Sequence, residues 1–194
     1  MRAFVIAMEC EAEAVKPALG ADDRLYVCGI GKVNAAAATQ QAIDEGATEI
    51  VNAGVAGGLD FAMEVGEVYE VASAVQYDFD LAAINGTRIG QLNEYDTPFF
   101  PCVTDGKRPA KTLATGDRFN DSDEDHRLIT EELGASLRDM EGAAIAHVCR
   151  KRGVPCRIYK GISDVRGKGS AMVQYADNLK LALGKLTEEL KELL

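Results

Sequence analysis

The sequence predicts an α/β fold with a largely parallel, buried central sheet. Short apolar runs of strand length alternate along the chain with longer stretches of helical pattern. Glycines stand where several of these segments end, and no linker or internal repeat divides the chain. Strands interleaved with helices are typical of sheets covered by helices on their faces. We therefore expect one α/β domain that spans residues 1–194.

The first half of the chain alternates strand and helix patterns. Strands are predicted at residues 4–8, 25–30, 49–52 and 67–75, and helices at 9–19 and 32–45. The second helix is rich in alanine and ends at Gly46, as helices commonly do. The third strand leads into a glycine-rich stretch at residues 52–58, which the pattern predicts to be a turn.

The second half continues the alternation. Short strands are predicted at residues 111–115, 136–140 and 157–162, with helices at 123–133 and 142–152. Gly134 follows the first of these helices, where a left-handed cap is expected. Gly153, before Val154 and Pro155, closes the second.

The C-terminal segment carries a narrow apolar seam. Apolar residues recur at alternating spacings of four and three, at Met172, Ala176, Leu179, Leu183, Leu186, Leu190 and Leu193. That spacing indicates one long amphipathic helix. A free coiled coil of three heptads would be short, so we favour a helix that lies on the domain.

Composition and charge exclude several classes of partner and location. The chain has 194 residues, 47% of them hydrophobic, and a net charge of −10. An acidic surface repels phosphate backbones, so no nucleic acid polymer is expected as a partner. The apolar runs are too short to cross a bilayer. Glutamates follow the brief N-terminal apolar run where a signal peptide would carry its cleavage site, so the expected location is cytoplasmic.

Cysteine and histidine usage does not indicate a metal site. The five cysteines have no Cys-x-x-Cys spacing, and the two histidines, His126 and His147, lie far apart in sequence. We expect no metal ligands, and cysteines that act as small buried hydrophobes.

One glycine motif resembles two nucleotide-binding fingerprints and fails both. Gly29 and Gly31 follow a strand and precede a helix. A dinucleotide fingerprint needs a third glycine where Asn34 stands, and a phosphate-binding P-loop needs Ser or Thr where Val33 stands. Alone, the motif indicates a tight turn between strand and helix.

Three acidic residues follow predicted strands at their carboxyl ends, namely Glu11, Glu141 and Asp164. The glycine-rich stretch 52–58 also follows a strand, and open α/β sheets bind ligands at that edge. An acid in the first turn of a helix also complements the helix dipole, so each residue alone has a purely structural explanation. All three at one edge favour a site.

Six sequence blocks occur in an order that points to a known family. They are residues 7–11 (Ala-Met-Glu-Cys-Glu), 29–36 (Gly-Ile-Gly-Lys-Val-Asn-Ala-Ala), 52–58 (Asn-Ala-Gly-Val-Ala-Gly-Gly), 116–119 (Gly-Asp-Arg-Phe), 139–149 (Asp-Met-Glu-Gly-Ala-Ala-Ile-Ala-His-Val-Cys) and 161–165 (Gly-Ile-Ser-Asp-Val). Together they resemble the nucleoside phosphorylase/nucleosidase superfamily, in its 5'-methylthioadenosine/S-adenosylhomocysteine nucleosidase branch. The resemblance implies a three-layer fold with a mixed, mostly parallel, twisted sheet flanked by helices. It also implies a homodimer that uses no cofactor or metal and takes a purine nucleoside as substrate.

The resemblance implies the catalytic pair. Glu11 would activate the attacking water, and Asp164 would protonate N7 of the leaving purine with support from Ser163. Cleavage through an oxocarbenium-like ribosyl cation needs one protonated and one ionised carboxyl. We therefore expect a raised pKa for Asp164 and an unshifted pKa for Glu11.

The remaining site residues are implied in the same way. Glu141 would hold the ribose hydroxyls, Met140 would pack on the sugar, and Phe119 would stack on the purine. Substrate contacts are also expected from Ala56, Gly57 and Asp139.

Water is favoured over phosphate as the nucleophile. Glu9, Glu11 and Glu13 surround the first predicted site, and their charges would oppose a phosphate ion. Alternatives remain open: a nucleosidase or phosphorylase for futalosine, inosine or adenosine, a non-catalytic nucleoside-binding protein, or a dimerisation module built on the C-terminal seam.

Three features depart from the family pattern. Val55 stands where a serine is frequent, and Lys160 stands where an arginine is usual. The segment between Phe99 and Lys111 is short where relatives carry a helix. That segment bears on which 5' substituent is accepted.

Overall fold

The computed structural model describes residues 1–119 and 121–194. Its strands are β1 (Arg2–Ile6), β2 (Arg24–Val27), β3 (Glu49–Gly58), β4 (Val68–Gln76), β5 (Phe100–Pro101), β6 (Ala110–Thr115), β7 (Leu137–Asp139) and β8 (Cys156–Val165). Its α-helices are α1 (Glu9–Val15), α2 (Lys32–Asp44), α3 (Ala82–Asn85), α4 (Asp123–Arg127), α5 (Gly142–Arg152) and α6 (Ala171–Leu193). A short 3₁₀ turn (Lys16–Ala18) follows α1, and a wider π-helical turn (Leu128–Glu132) follows α4.

The strands of the described residues form one mixed sheet that closes on itself. Strand β8 pairs in parallel with β3 and antiparallel with β4. Strands β6 and β7 then link β4 back to β3, so five strands form a ring. Strands β1 and β2 extend the sheet beyond β3, and β5 pairs with β4. The predicted α/β class with a mixed, mostly parallel sheet is confirmed.

Buried strands of this kind are specified by apolar runs rather than by alternation. In β1, Ala3, Phe4, Val5 and Ile6 are all fully buried, as expected for a strand with both faces covered. The helix boundaries at Gly134 and Gly153 are also as predicted, because both glycines adopt positive φ angles of 62° and 67°.

The glycine-rich stretch 52–58 is not a turn, and that prediction is wrong. Strand β3 runs through it to Gly58 and stays paired with β8 as far as Val165. A side chain on Gly54 would clash with Glu11, and one on Gly57 would clash with Asp164. The glycines therefore make room for acidic side chains beside an extended strand, which a turn-forming composition does not reveal.

The last strand is longer than predicted, and this places the site within the sheet. Residues 163–165 belong to β8, and a register shift between Ala56 and Gly57 brings Gly57 opposite Asp164. Asp164 thus projects from a strand rather than from the loop after it.

Helix α6 covers one face of the sheet. Leu186, Leu190 and Leu193 pack in one buried cluster with apolar residues of β1 and β3, including Phe4 and Val51. This part of the predicted seam lies on the domain, as we favoured. Met172 at the start of the helix stays 67% exposed and lines a cavity instead.

The shortened segment between Phe99 and Lys111 contains β5 and a loop fixed by a buried carboxylate. Glu70 of β4 accepts backbone N–H bonds at 3.0–3.3 Å from the four loop residues Asp105, Gly106, Lys107 and Arg108. The Glu70 carboxylate therefore holds this loop and β4 together.

Among the described residues, none of the helices is both long and apolar enough to span a bilayer. The same residues contain no group of three or more His, Cys, Asp or Glu side chains placed to hold a metal ion.

Candidate active site

One cavity of about 520 Å³ collects the residues singled out in the sequence. It lies where the carboxyl ends of β1, β3, β7 and β8 meet the N-termini of the helices that follow β1, β7 and β8. All nine predicted site residues line it, namely Glu11, Ala56, Gly57, Phe119, Asp139, Met140, Glu141, Ser163 and Asp164. The three separate acids of the sequence therefore share one enclosure.

Glu11 is fixed by two backbone amides. It lies in the first turn of α1, where its Oε2 accepts the Met8 N–H at 3.1 Å and its Oε1 accepts the Val55 N–H at 2.9 Å. The first bond is the helix-capping arrangement expected of an acid at this position. The second bond ties α1 to β3 and fixes the carboxylate at the cavity.

The sequence-based prediction that the pKa of Glu11 is unshifted is wrong. Burial raises the pKa above its ordinary value, because the charged carboxylate loses its hydration. The Lys160 ammonium and the amides of Val55 and Met8 act in the opposite direction and favour the anion. Nothing in the sequence around Glu11 indicated this depth of burial.

Asp164 has weaker support for a negative charge. Its Oδ1 accepts the Ser163 hydroxyl at 2.7 Å, and burial raises its pKa as predicted. The Ser163 hydroxyl and the positive charge of Arg138 lower the pKa, but less than burial raises it. Asp164 is therefore suited to carry a proton.

Glu141 lies at the N-terminus of α5 and reaches across to α2. Its Oε1 accepts the backbone N–H of Gly31 at 2.8 Å. Burial is the first cause and the neighbouring Asp139 the second of a pKa raised to about 7, against which Lys160 and the Gly31 amide act.

Asp139 lines the cavity, but its carboxylate bonds to protein groups. Oδ2 lies 2.8 Å from the Lys160 ammonium and accepts the Gly142 N–H at 2.9 Å. Oδ1 accepts the Thr115 hydroxyl at 2.5 Å. This geometry favours support of Glu141 and the start of α5 over direct contact with a substrate.

An apolar wall completes the cavity. Phe119 meets Tyr175 of α6 edge-on, with ring centroids 5.6 Å apart. The Tyr175 hydroxyl lies 3.5 Å from the Met8 sulfur. Met140 and Met172 add flexible thioether side chains. Such a surface suits a flat base and the apolar part of a sugar substituent.

Comparisons with known proteins match this geometry. The sequence pattern of the phosphorylase superfamily matches residues 23–194. The 5'-methylthioadenosine/S-adenosylhomocysteine nucleosidase of Treponema pallidum (strain Nichols) is 34% identical, with 77% of this chain and 69% of that protein covered. The chain belongs to this nucleosidase family of the phosphorylase superfamily.

Solved structures share the fold over nearly the whole chain. The nucleosidase family member from Neisseria meningitidis, crystallised with methylthio-immucillin-A, is 26% identical with a TM-score of 0.87, covering 99% of this chain and 97% of that one. The futalosine hydrolase of Helicobacter pylori is 24% identical with a TM-score of 0.89, covering 99% and 96%. At that identity the second likeness shows the fold alone.

Several residues that line the cavity of this nucleosidase-family chain are not among the predicted site residues. Met172 and Ala176 lie at the N-terminal end of the α6 seam, beyond the part that packs on the sheet. Tyr175 and Arg138 also line the cavity, and no motif singled them out. Tyr175 contacts the cavity because α6 begins there, which the local sequence does not indicate.

Proposed function

We propose that this chain hydrolyses the N-glycosidic bond of a purine nucleoside, with 5'-methylthioadenosine, S-adenosylhomocysteine or both as substrate. The observation that carries the proposal is the convergence of Glu11, Glu141 and Asp164 on one cavity. Membership of the nucleosidase family supports the same reaction.

The two ends of the cavity suit the two halves of a nucleoside. Phe119 and Asp164 form the base end, where Phe119 stacks on the purine and Asp164 faces N7. Glu141 and Met140 form the sugar end, where the Glu141 carboxylate accepts hydrogen bonds from the ribose hydroxyls. Ala56 and Gly57 of β3 bring backbone close to the ligand, since Gly57 has no side chain.

Bond cleavage then follows a dissociative course. The C1'–N9 bond breaks, its electron pair stays with the purine, and the Asp164 proton passes to N7. The resulting oxocarbenium-like sugar is stabilised by the Glu141 carboxylate. The oxygen of a water molecule bonds to C1', and one of its protons passes to Glu11. The products are the free base and the ribose derivative.

Hydrogen bonding in the cavity divides the acid and base roles. Glu11 accepts two backbone N–H bonds that stabilise its anion, whereas the hydrogen bond described for Asp164 comes from the neutral Ser163 hydroxyl. Both carboxyls are buried, so this difference in donors favours Glu11 as the base and Asp164 as the acid.

Water rather than phosphate is the proposed nucleophile. Glu11 faces the cavity, and the buried Lys160 ammonium is paired with Asp139. A phosphate ion at the Glu11 end would meet carboxylates.

The assay that tests this function uses the purified chain with methylthioadenosine, S-adenosylhomocysteine, futalosine and inosine, each with and without inorganic phosphate. We expect adenine from the first two substrates at a rate independent of phosphate. Release only in the presence of phosphate would indicate a phosphorylase. Release of hypoxanthine-type base alone would indicate one of the other nucleosidases, and binding without base release would indicate a storage protein.

We further propose that the chain is a single domain over residues 1–194 that acts as a homodimer in the cytoplasm, in methionine salvage. Exposed apolar side chains near the cavity, Ile30 at 52% and Met172 at 67%, support association of two copies there. Light scattering of the purified protein measures the assembly directly, and a monomer at micromolar concentration would contradict the dimer.

A further inference from the structure

Two consecutive amides at the N-terminus of α2 donate to two different carboxylates. The Gly31 N–H donates to Oε1 of Glu141 at 2.8 Å, and the Lys32 N–H donates to Oδ1 of Asp117 at 2.9 Å. The N-terminus of this 13-residue helix carries a partial positive charge, so it favours both anions. Glu141 belongs to the proposed ribose site, whereas Asp117 has no part in the chemistry proposed above.

Asp117 is itself fixed by a closed ring of three residues. Its own N–H donates to Oδ2 of Asp78 at 3.0 Å, and Oδ1 of Asp78 lies 2.6 Å from the Lys32 ammonium. The Lys32 and Asp78 side chains are 19% and 12% exposed, so solvent screens this ion pair only in part. Three separate segments of the chain are therefore locked at the start of α2.

Gly31 lies directly beside the Asp117 carboxylate. Gly31 has a φ of 102°, and a Cβ there would lie 3.3 Å from Oδ1 of Asp117. The amide that meets Glu141 thus belongs to a residue in a conformation that side chains disfavour, directly beside the Asp117 carboxylate.

We propose that Asp117 is a positioning residue that holds the start of α2 so that the Gly31 amide meets Glu141. Because Asp117 lies two residues before Phe119, it also links the segment that carries Phe119 to Glu141. The assignment deepens the proposed nucleosidase function and rests on it for the role of Glu141.

The hydrogen bond from the Gly31 amide sets the direction in which the pKa of Glu141 is expected to shift. Glu141 accepts the Gly31 amide, and five titratable side chains of the described residues also face it: Asp139 of β7, Lys160 of β8, Glu11 of α1, Cys28 after β2 and Tyr175 of α6. The Gly31 bond lowers the pKa of Glu141. Loss of Asp117 loosens that bond, so the pKa rises and Glu141 is ionised only at higher pH.

The test compares Asp117→Ala with Asp117→Asn in the full chain. We expect Asp117→Ala to move the acidic limb of kcat/KM up by about one pH unit and to lower kcat/KM at pH 6 about tenfold, mainly through KM. Asp117→Asn keeps the Oδ1 acceptor for the Lys32 amide and should recover most of the loss.

Asp23→Ala is the matched control. Asp23 also accepts a backbone amide, from Gly20 at 2.7 Å, and pairs with Arg2, but it does not line the cavity. This variant should lower the melting temperature and leave the pH profile unchanged. If Asp117→Ala does no more than Asp23→Ala, Asp117 is only a structural cap and the inference fails.

A substrate-free measurement separates this inference from the proposed function. The ¹³C shift of the Glu141 carboxyl follows its titration by NMR, with Glu141→Gln to assign the signal. A rise of the Glu141 pKa in Asp117→Ala supports the positioning role even if the wild-type chain releases no base. An unchanged titration in a chain that does release base overturns the inference and leaves the function intact.

Discussion

The ammonium nitrogen of Lys160 lies 2.8 Å from Oδ2 of Asp139, and each side chain is 2% exposed. The nearby carboxylates raise the pKa of Lys160 despite its burial, which by itself would lower it. Lys160 also favours the anions of Glu11 and Glu141. The buried Lys160 ammonium therefore offsets part of the negative charge of the cavity carboxylates.

Removal of this cation should destabilise the fold. In Lys160→Met, Asp139 becomes a buried charge without its partner, which typically costs about 3–5 kcal/mol of unfolding free energy. Urea unfolding at pH 7 measures this loss. Lys185→Met removes a cation from an exposed pair with Glu188 and should cost less than about 1 kcal/mol. Equal losses in the two variants would contradict a central role for Lys160.

The absence of a side chain at Gly54 should be essential for activity. A Cβ there would lie 2.4 Å from Oε1 of Glu11, so Gly54→Ala must displace that carboxylate. A displacement of about 1 Å at a catalytic group can reduce kcat about 10²-fold. Gly184→Ala on α6 is the matched control, since nothing lies within 4 Å of its new Cβ. Full activity in a folded Gly54→Ala protein would remove Glu11 from the mechanism.

The glycines also show how far the sequence could predict the site. Short apolar runs predicted most strands and helices because burial of both faces demands them, and the motif blocks predicted which side chains converge. The glycine-rich stretch predicts a turn but forms a strand, because local composition cannot distinguish a turn from a strand crowded by Glu11 and Asp164. Tyr175 was missed because its place depends on where α6 begins relative to the sheet.

Ser163 should adjust the pH range of the reaction through Asp164. The mechanism needs Asp164 protonated, so activity falls as the pH rises through its pKa. The Ser163 hydroxyl stabilises the Asp164 anion, and Ser163→Ala should therefore raise that pKa further and move the alkaline limb of kcat to higher pH. Asp164→Asn should lower kcat about 10²–10⁴-fold and abolish the limb. A limb that persists in Asp164→Asn belongs to another group.

Leucines on the inner face of α6 should stabilise the domain. Leu186 is fully buried against β1, β3 and β8, and Leu186→Ala should lower the unfolding free energy by about 2–5 kcal/mol. Leu181 on the same helix is 52% exposed, and Leu181→Ala should change the unfolding free energy by less than about 1 kcal/mol. Chemical denaturation of the two variants checks this. If the seam only mediated association of two copies, dilution would lower the unfolding free energy and Leu186→Ala would not.

Glu141 should lower the stability of the protein at the pH where it is active. Its pKa is raised from 4.5 to about 7 in the folded chain, so the folded state holds this proton more tightly than the unfolded state does. Its favourable contribution is complete below pH 4.5 and is lost as the pH rises to 7.

The substitution Glu141→Gln isolates this effect, because glutamine keeps an acceptor for the Gly31 amide and cannot ionise. At pH 8 the variant should be more stable than the wild type by up to about 3 kcal/mol, and the difference should shrink towards pH 5. The exposed Glu132→Gln should change stability by less than about 0.5 kcal/mol at either pH. Urea unfolding at pH 5 and pH 8 decides the matter, and base release should be severely reduced in Glu141→Gln alone. If Glu141→Gln is less stable than the wild type at pH 8, the ionised Glu141 carboxylate is stabilised by its contacts in the folded protein. The prediction that Glu141 is retained for ribose binding at a cost in stability is then wrong.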